Sequence, residues 1–127
     1  MVVDDEPDVV ELVRLVLESG GYTVVTASNG REALEKVGKE MPDLILLDII
    51  MPQMDGWEVY TNLKSSPKTR DIPVAMLTAK SESIDRMIGL HVVHVDDYIT
   101  KPFGRSELLE RVKRILAEKG KAPQAAH

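Results

Sequence analysis

A chain of 127 residues with formal net charge −5, 43% hydrophobic and 29% charged residues, has the size and composition of one globular domain that buries roughly two thirds of its unfolded surface. It contains no cysteine, which excludes disulfides, thiolate metal sites and cysteine nucleophiles and fits a reducing, cytoplasmic setting. Its longest aliphatic run, Leu44 to Leu47, falls far short of the ~18 residues of a membrane span, and no charged-then-apolar leader opens the chain, so neither embedding nor export is expected.

The charge is unevenly placed. Residues 101–121 hold seven Lys or Arg against three acids, and the preceding part holds nine against 18. Nucleic-acid binding rests on phosphate neutralisation, which the acidic bulk opposes, so no direct nucleic-acid partner is expected.

Met1, Val2 and Val3 form a stub of a first strand. Val9, Leu12, Val13, Val16 and Leu17 follow the i, i+3, i+4, i+7 spacing of a helix, with Pro7 in its first turn and Gly20-Gly21 as its stop. Tyr22 to Ala27 is β-branched and aromatic and predicts a strand, after which Ser28 or Asn29 can cap a helix through about Lys39. Leu44 to Leu47 is apolar at every position, as a central parallel strand covered on both faces must be, and it ends at Asp48. A turn over residues 52–56 leads to a helix ending near Ser65, a strand from Ile72 to Leu77, a helix from about Glu82, a short strand from Tyr98 to Thr100, and a closing helix marked by Leu108, Val112, Ile115 and Leu116. Five β-then-α units in succession predict an α/β doubly wound domain over residues 1–119 with a five-stranded parallel sheet. Residues 120–127 are small and polar and are expected to form a disordered tail or linker remnant.

Open parallel sheets bind ligands beyond the carboxyl ends of their strands. There the chain places Asp4-Asp5-Glu6 after strand one, Asp48 after strand three, Thr78 after strand four and Lys101-Pro102 after strand five. Carboxylates held ~4 Å apart repel by roughly 4 kcal/mol per pair at an effective dielectric of 20, so such a cluster calls for a cation. An oxygen-only donor set points to Mg²⁺, which takes one or two carboxylates and leaves positions for water and phosphate oxygens. The Thr78 hydroxyl and the Lys101 ammonium both suit a phosphoryl group.

The runs Val2-Val3-Asp4-Asp5-Glu6-Pro7, Leu44 to Gly56 with Asp48, Pro52 and Asp55, Pro73 to Ala79 with Thr78, and Asp97-Tyr98-Ile99-Thr100-Lys101-Pro102-Phe103 together resemble the receiver domain of bacterial and archaeal response regulators. The resemblance implies a flavodoxin-like (βα)5 fold with strand order 2-1-3-4-5. It implies a signalling switch in which Asp48 accepts a phosphoryl group from the phosphohistidine of a sensor histidine kinase. Asp5 would be a direct Mg²⁺ ligand, Asp4 would act largely through water, and the backbone carbonyl of Ile50 would complete the protein shell around a metal that also meets Asp48. Thr78 and Lys101 would hold phosphoryl oxygens, and Tyr98 would be the aromatic switch. Ile50 and Lys80 would tune access of hydrolytic water. The partner would be a downstream protein or an attached output domain, with the receiver a monomer or a phosphorylation-dependent dimer. Such a domain assists its own phosphorylation and dephosphorylation without being an enzyme in the ordinary sense.

Three features depart from that pattern. Only three residues precede Asp4 where strands run ~5–6, so the first strand looks clipped. His94-Val95 stands where relatives carry Gly-Ala, with one residue more than usual between Gly89 and Asp97. His91 and His94 lie three apart, a spacing that could share a metal on a helix, but no third ligand accompanies them. Among rival readings, an aspartate-nucleophile phosphohydrolase needs a second acid two residues after the nucleophile, where this chain has Ile50. A nucleotide switch needs a phosphate loop that is absent from the sequence. A phosphate relay or sink, accepting phosphate without the usual output, remains the nearer alternative.

Overall fold

The computed structural model describes residues 1–79 and 96–118. Its elements are β1 (Val2–Val3), α1 (Pro7–Ser19), β2 (Thr26–Ala27), α2 (Gly30–Glu40), β3 (Ile45–Asp48), α3 (Gly56–Ser65), β4 (Val74–Ala79), β5 (Asp97–Lys101) and α4 (Arg105–Glu118). The five strands form one parallel sheet in the order β2-β1-β3-β4-β5, the flavodoxin-like order expected. The helix expected from Glu82, the His91 and His94 pair, Lys80 and the tail from Gly120 lie outside the described residues.

Alternation along the strands splits the core into two layers. Val3, Ile45, Leu47, Val74 and Met76 pack with Ala33 and Val37 of α2 and with Trp57, Val59 and Leu63 of α3. Val2, Leu46, Ala75, Leu77 and Ile99 pack with Val13 and Leu17 of α1 and with Leu108, Val112 and Ile115 of α4. Because both faces are covered, β3 carries no outward polar positions, and its four residues are all buried.

The helix starts follow from local chemistry. Pro7 opens α1, where its missing N–H costs nothing. The Asn29 side chain accepts the Glu32 N–H at 2.8 Å, and the Glu32 carboxylate accepts the Ser28 N–H at 2.7 Å, a reciprocal cap on α2. Asp55 caps α3 by accepting the Glu58 N–H at 2.9 Å. At the far end of α1, Gly20 and Gly21 stop the helix as expected, with Gly21 at φ 93°.

Two strand expectations are corrected. Tyr22 to Ala27 reads as one strand, yet only Thr26–Ala27 joins the ladder, in register with Val2 and Val3 of β1. The fourth strand is shifted from Ile72 to Leu77 onto Val74–Ala79, since the Ile72 N–H is taken by the Thr69 carbonyl in a turn and Pro73 has no N–H to donate.

Candidate functional site

Three strand ends bring the acidic residues and the lysine together. β1 ends at Val3, and the chain turns at Asp4 before Pro7 starts α1; the Asp4 carboxylate holds that turn by accepting the Glu6 N–H at 3.0 Å. β3 ends on Asp48, whose Oδ1 accepts the Ile50 N–H at 3.3 Å. β5 ends on Lys101, followed by a cis peptide to Pro102. The loop after Asp48 folds back so tightly that the Gly56 N–H donates to the Ile49 carbonyl at 2.7 Å. A Cβ at position 56 would sit 2.3 Å from the Asp48 carbonyl oxygen, so only glycine fits there.

The Lys101 Nζ lies 2.8 Å from Asp4 Oδ2, 3.7 Å from Asp48 Oδ1 and 3.8 Å from Glu6 Oε1. Asp4 is fully buried and Asp48 is 6% exposed, whereas Asp5 and Glu6 face solvent. Asp4, Asp5 and Glu6 each bring a carboxylate oxygen within 4.8 Å of the others. Three carboxylates thus surround one ammonium, and Asp5 lies beside two of them. Burial, and then the charge of Asp4, push the Asp48 carboxyl up to about 7 despite Lys101 and the Ile50 N–H. Burial opposes the Lys101 charge, but its bond to Asp4 and the charges of Asp48, Asp4 and Glu6 outweigh that and raise its pKa. The excess of negative charge is what an added cation would neutralise, and hard carboxylate oxygens without nitrogen or sulfur fit Mg²⁺.

Thr78 is buried on β4, one residue past Leu77, the residue in register with Asp48. Tyr98 pairs with Met76 on β5 and packs half-buried against the α2 and α3 layer, close enough to Tyr60 that burial and then Tyr60 raise its phenol pKa. Thr78 pairs with Thr100, two residues beyond Tyr98, so Thr78 and Tyr98 lie on one face of the sheet. Ile50 is 55% exposed beside the site, and its N–H is the group that donates to Asp48 Oδ1.

Sequence reasoning placed Asp4, Asp48, Thr78 and Lys101 at adjacent strand ends but missed three relationships. Lys101 meets Asp4 more closely than Asp48, Glu6 joins both Lys101 and Asp5, and Gly56 is required by backbone proximity. Only the third left a signal, the glycine directly after a capping aspartate.

Comparison with known proteins follows this geometry. The family model described as response regulator receiver domain matches residues 1–113. The alkaline phosphatase synthesis transcriptional regulatory protein PhoP of Bacillus subtilis is 48% identical over 91% of this chain and 47% of its own length. The phosphate regulon transcriptional regulatory protein PhoB of Escherichia coli is 44% identical over 91% of this chain and 50% of its own. The chain therefore spans about half the length of the curated relatives it matches. A putative response regulator from Chloroflexus aurantiacus superposes with TM-score 0.83 at 38% identity, covering 91% of this chain and 94% of that one. A CheY-like receiver domain protein from Methanospirillum hungatei superposes with TM-score 0.82 at 34% identity, covering 94% of each. The chain belongs to the response regulator receiver domain family of two-component signal transduction.

Proposed function

We propose that this receiver domain is a phosphoacceptor switch in which Asp48 takes a phosphoryl group from the phosphohistidine of a sensor histidine kinase, with Mg²⁺ held by Asp5, Asp48, the Ile50 carbonyl and, through water, Asp4. The observation that carries the reading is the placement of a nearly buried Asp48 carboxylate, itself of raised proton affinity, 3.7 Å from the Lys101 ammonium and beside an acidic cluster. When bound, Mg²⁺ would supply neutralisation of the charge on carboxylate and phosphoryl oxygens. Asp48 is the nucleophile: its Oδ forms the new bond to phosphorus as the bond to the imidazole nitrogen breaks. Lys101 places a fixed positive charge where a phosphoryl oxygen arrives, and buried Asp4 holds that ammonium in position. Thr78 offers a hydroxyl to another phosphoryl oxygen, and Tyr98, on the same sheet face, reports the change toward a partner-binding surface. A downstream protein or attached output domain reads that surface. The relatives' names as transcriptional regulators favour an attached output domain.

The test is incubation with acetyl phosphate and Mg²⁺ followed by intact-mass measurement. The wild-type chain gains one phosphoryl group, and Asp48→Asn gains none. Withholding Mg²⁺ or substituting Asp5→Ala reduces the gain at least tenfold. A full gain in Asp48→Asn refutes the assignment.

A further inference from the structure

Among the three carboxylates around Lys101, Glu6 is the one to which phosphotransfer at Asp48 gives no part. Its backbone is fixed: its N–H donates to Asp4 Oδ1 at 3.0 Å, and its carbonyl accepts the Val9 and Val10 N–H groups at 3.1 Å. Glu6 is thereby the N-cap of α1, a position that favours Ser, Thr, Asp or Asn, whose short side chains reach the next unpaired N–H groups. The Glu6 side chain makes no such bond. It extends to the site instead, with Oε1 3.8 Å from the Lys101 Nζ. The three side chains grade outward from Asp4 at 0% exposed, through Asp48 at 8%, to Glu6 at 64%. The outermost carboxylate on Lys101 is thus one that forms no bond to the helix it caps.

Because Asp4 and Asp48 are buried, a phosphoryl donor reaches Asp48 from the solvent side, where Asp5 and Glu6 are exposed. A unit charge ~4 Å away alters a rate by about fivefold even at the dielectric of water. The phosphoryl end is the same in every donor, so the charge on the leaving group is what Glu6 can tell apart.

We infer that Glu6 is a specificity-determining residue for the phosphodonor, favouring a phosphorylated nitrogen heterocycle with a positively charged ring over an acyl phosphate that leaves as an anion. This rests on Asp48 as the phosphoacceptor. With either donor an Asp48 carboxylate oxygen forms the bond to phosphorus, and the bond to the leaving atom breaks with its electron pair. From a ring-protonated phosphoimidazole the pair goes to the ring nitrogen, and neutral imidazole departs. From acetyl phosphate it goes to the acyl oxygen, and acetate departs. The Glu6 carboxylate attracts the charged ring during approach and repels the acetate as its charge develops.

The test compares second-order phosphorylation rates of the whole chain with phosphoimidazole and with acetyl phosphate, both with Mg²⁺, in mildly acidic buffer of low ionic strength where the imidazole ring is protonated. The quantity read is the ratio of the two rates on one protein sample, which cancels any loss of folded fraction in a variant. Glu6→Gln keeps the length of the side chain and removes its charge, and should move the ratio about fivefold toward acetyl phosphate. Glu6→Lys should move it further, and added salt should move the wild-type ratio the same way. A ratio unchanged in both variants, or moved toward phosphoimidazole, overturns the role of Glu6 and leaves Asp48 as phosphoacceptor standing. Full labelling of Asp48→Asn, or none of the wild type by either donor, overturns the phosphoacceptor reading and this inference with it.

Discussion

Asp48 sits where burial and the neighbouring Asp4 charge oppose its ionisation, and this has a consequence for stability as well as reactivity. Its carboxyl titrates at about 7 in the fold against 3.8 for a free aspartate. Between those values the native chain holds a proton that the unfolded chain has lost, so this residue makes the metal-free protein less stable as pH rises from about 4 to 7. Urea unfolding across that window should show a downward slope that Asp48→Asn flattens and that Mg²⁺ offsets at its upper end; an unchanged slope in Asp48→Asn would refute the electrostatic account. Lys101→Met leaves the fully buried Asp4 without its ammonium, and breaking a pair of this kind costs about 3 kcal/mol, read in the same unfolding experiment. Ile50 is exposed beside the site and has no group that orients water, so Ile50→Asn should speed loss of the phosphoryl group; slower loss or no change would show that Ile50 does not shield it.

At the scale of elements, the caps and close approaches decide how firmly the site is held. Asn29→Ala removes the acceptor for the Glu32 N–H and should lower stability by about 1 kcal/mol. Glu32 is held at about 2, first by the Ser28 N–H and then by Lys36, so its contribution is present above pH ~4.5 and is lost as pH falls toward 2. Gly56→Ala forces a Cβ against the Asp48 backbone and should cost about 1–3 kcal/mol while slowing phosphorylation of the fraction that remains folded. The helices were legible because 3.6-residue periodicity, Pro7, Asn29 and the Gly20-Gly21 stop all act locally. Strand bounds were not, because pairing with a neighbour decides them: Ile72 has the composition of a strand residue, but its N–H goes to the Thr69 carbonyl in a turn. The four site residues at strand ends could be read from position alone. The preference of Lys101 for Asp4, and the reach of Glu6, depend on side-chain directions that spacing does not encode.

Across the whole molecule, the proposed switch must carry a local change at Asp48 to a surface that a partner reads. Thr78 and Tyr98 share a sheet face and adjacent strands, which gives that change a short path from β4 to β5. Phosphorylation shifts the equilibrium only by the difference in contacts it makes in each state. Amide signals of Thr78, Ala79 and Tyr98 should therefore move strongly. A response confined to the acidic cluster, with Tyr98 unmoved, would favour a phosphate relay or sink. The most direct measurement is chemical trapping of the modified residue: the chain is phosphorylated with acetyl phosphate and Mg²⁺, reduced with borohydride, digested and sequenced by mass spectrometry. An aspartyl phosphate is reduced to homoserine, so the account predicts homoserine at position 48 and nowhere else. Homoserine at Asp4, Asp5 or Asp55, or phosphate surviving reduction on a serine or threonine, would contradict it.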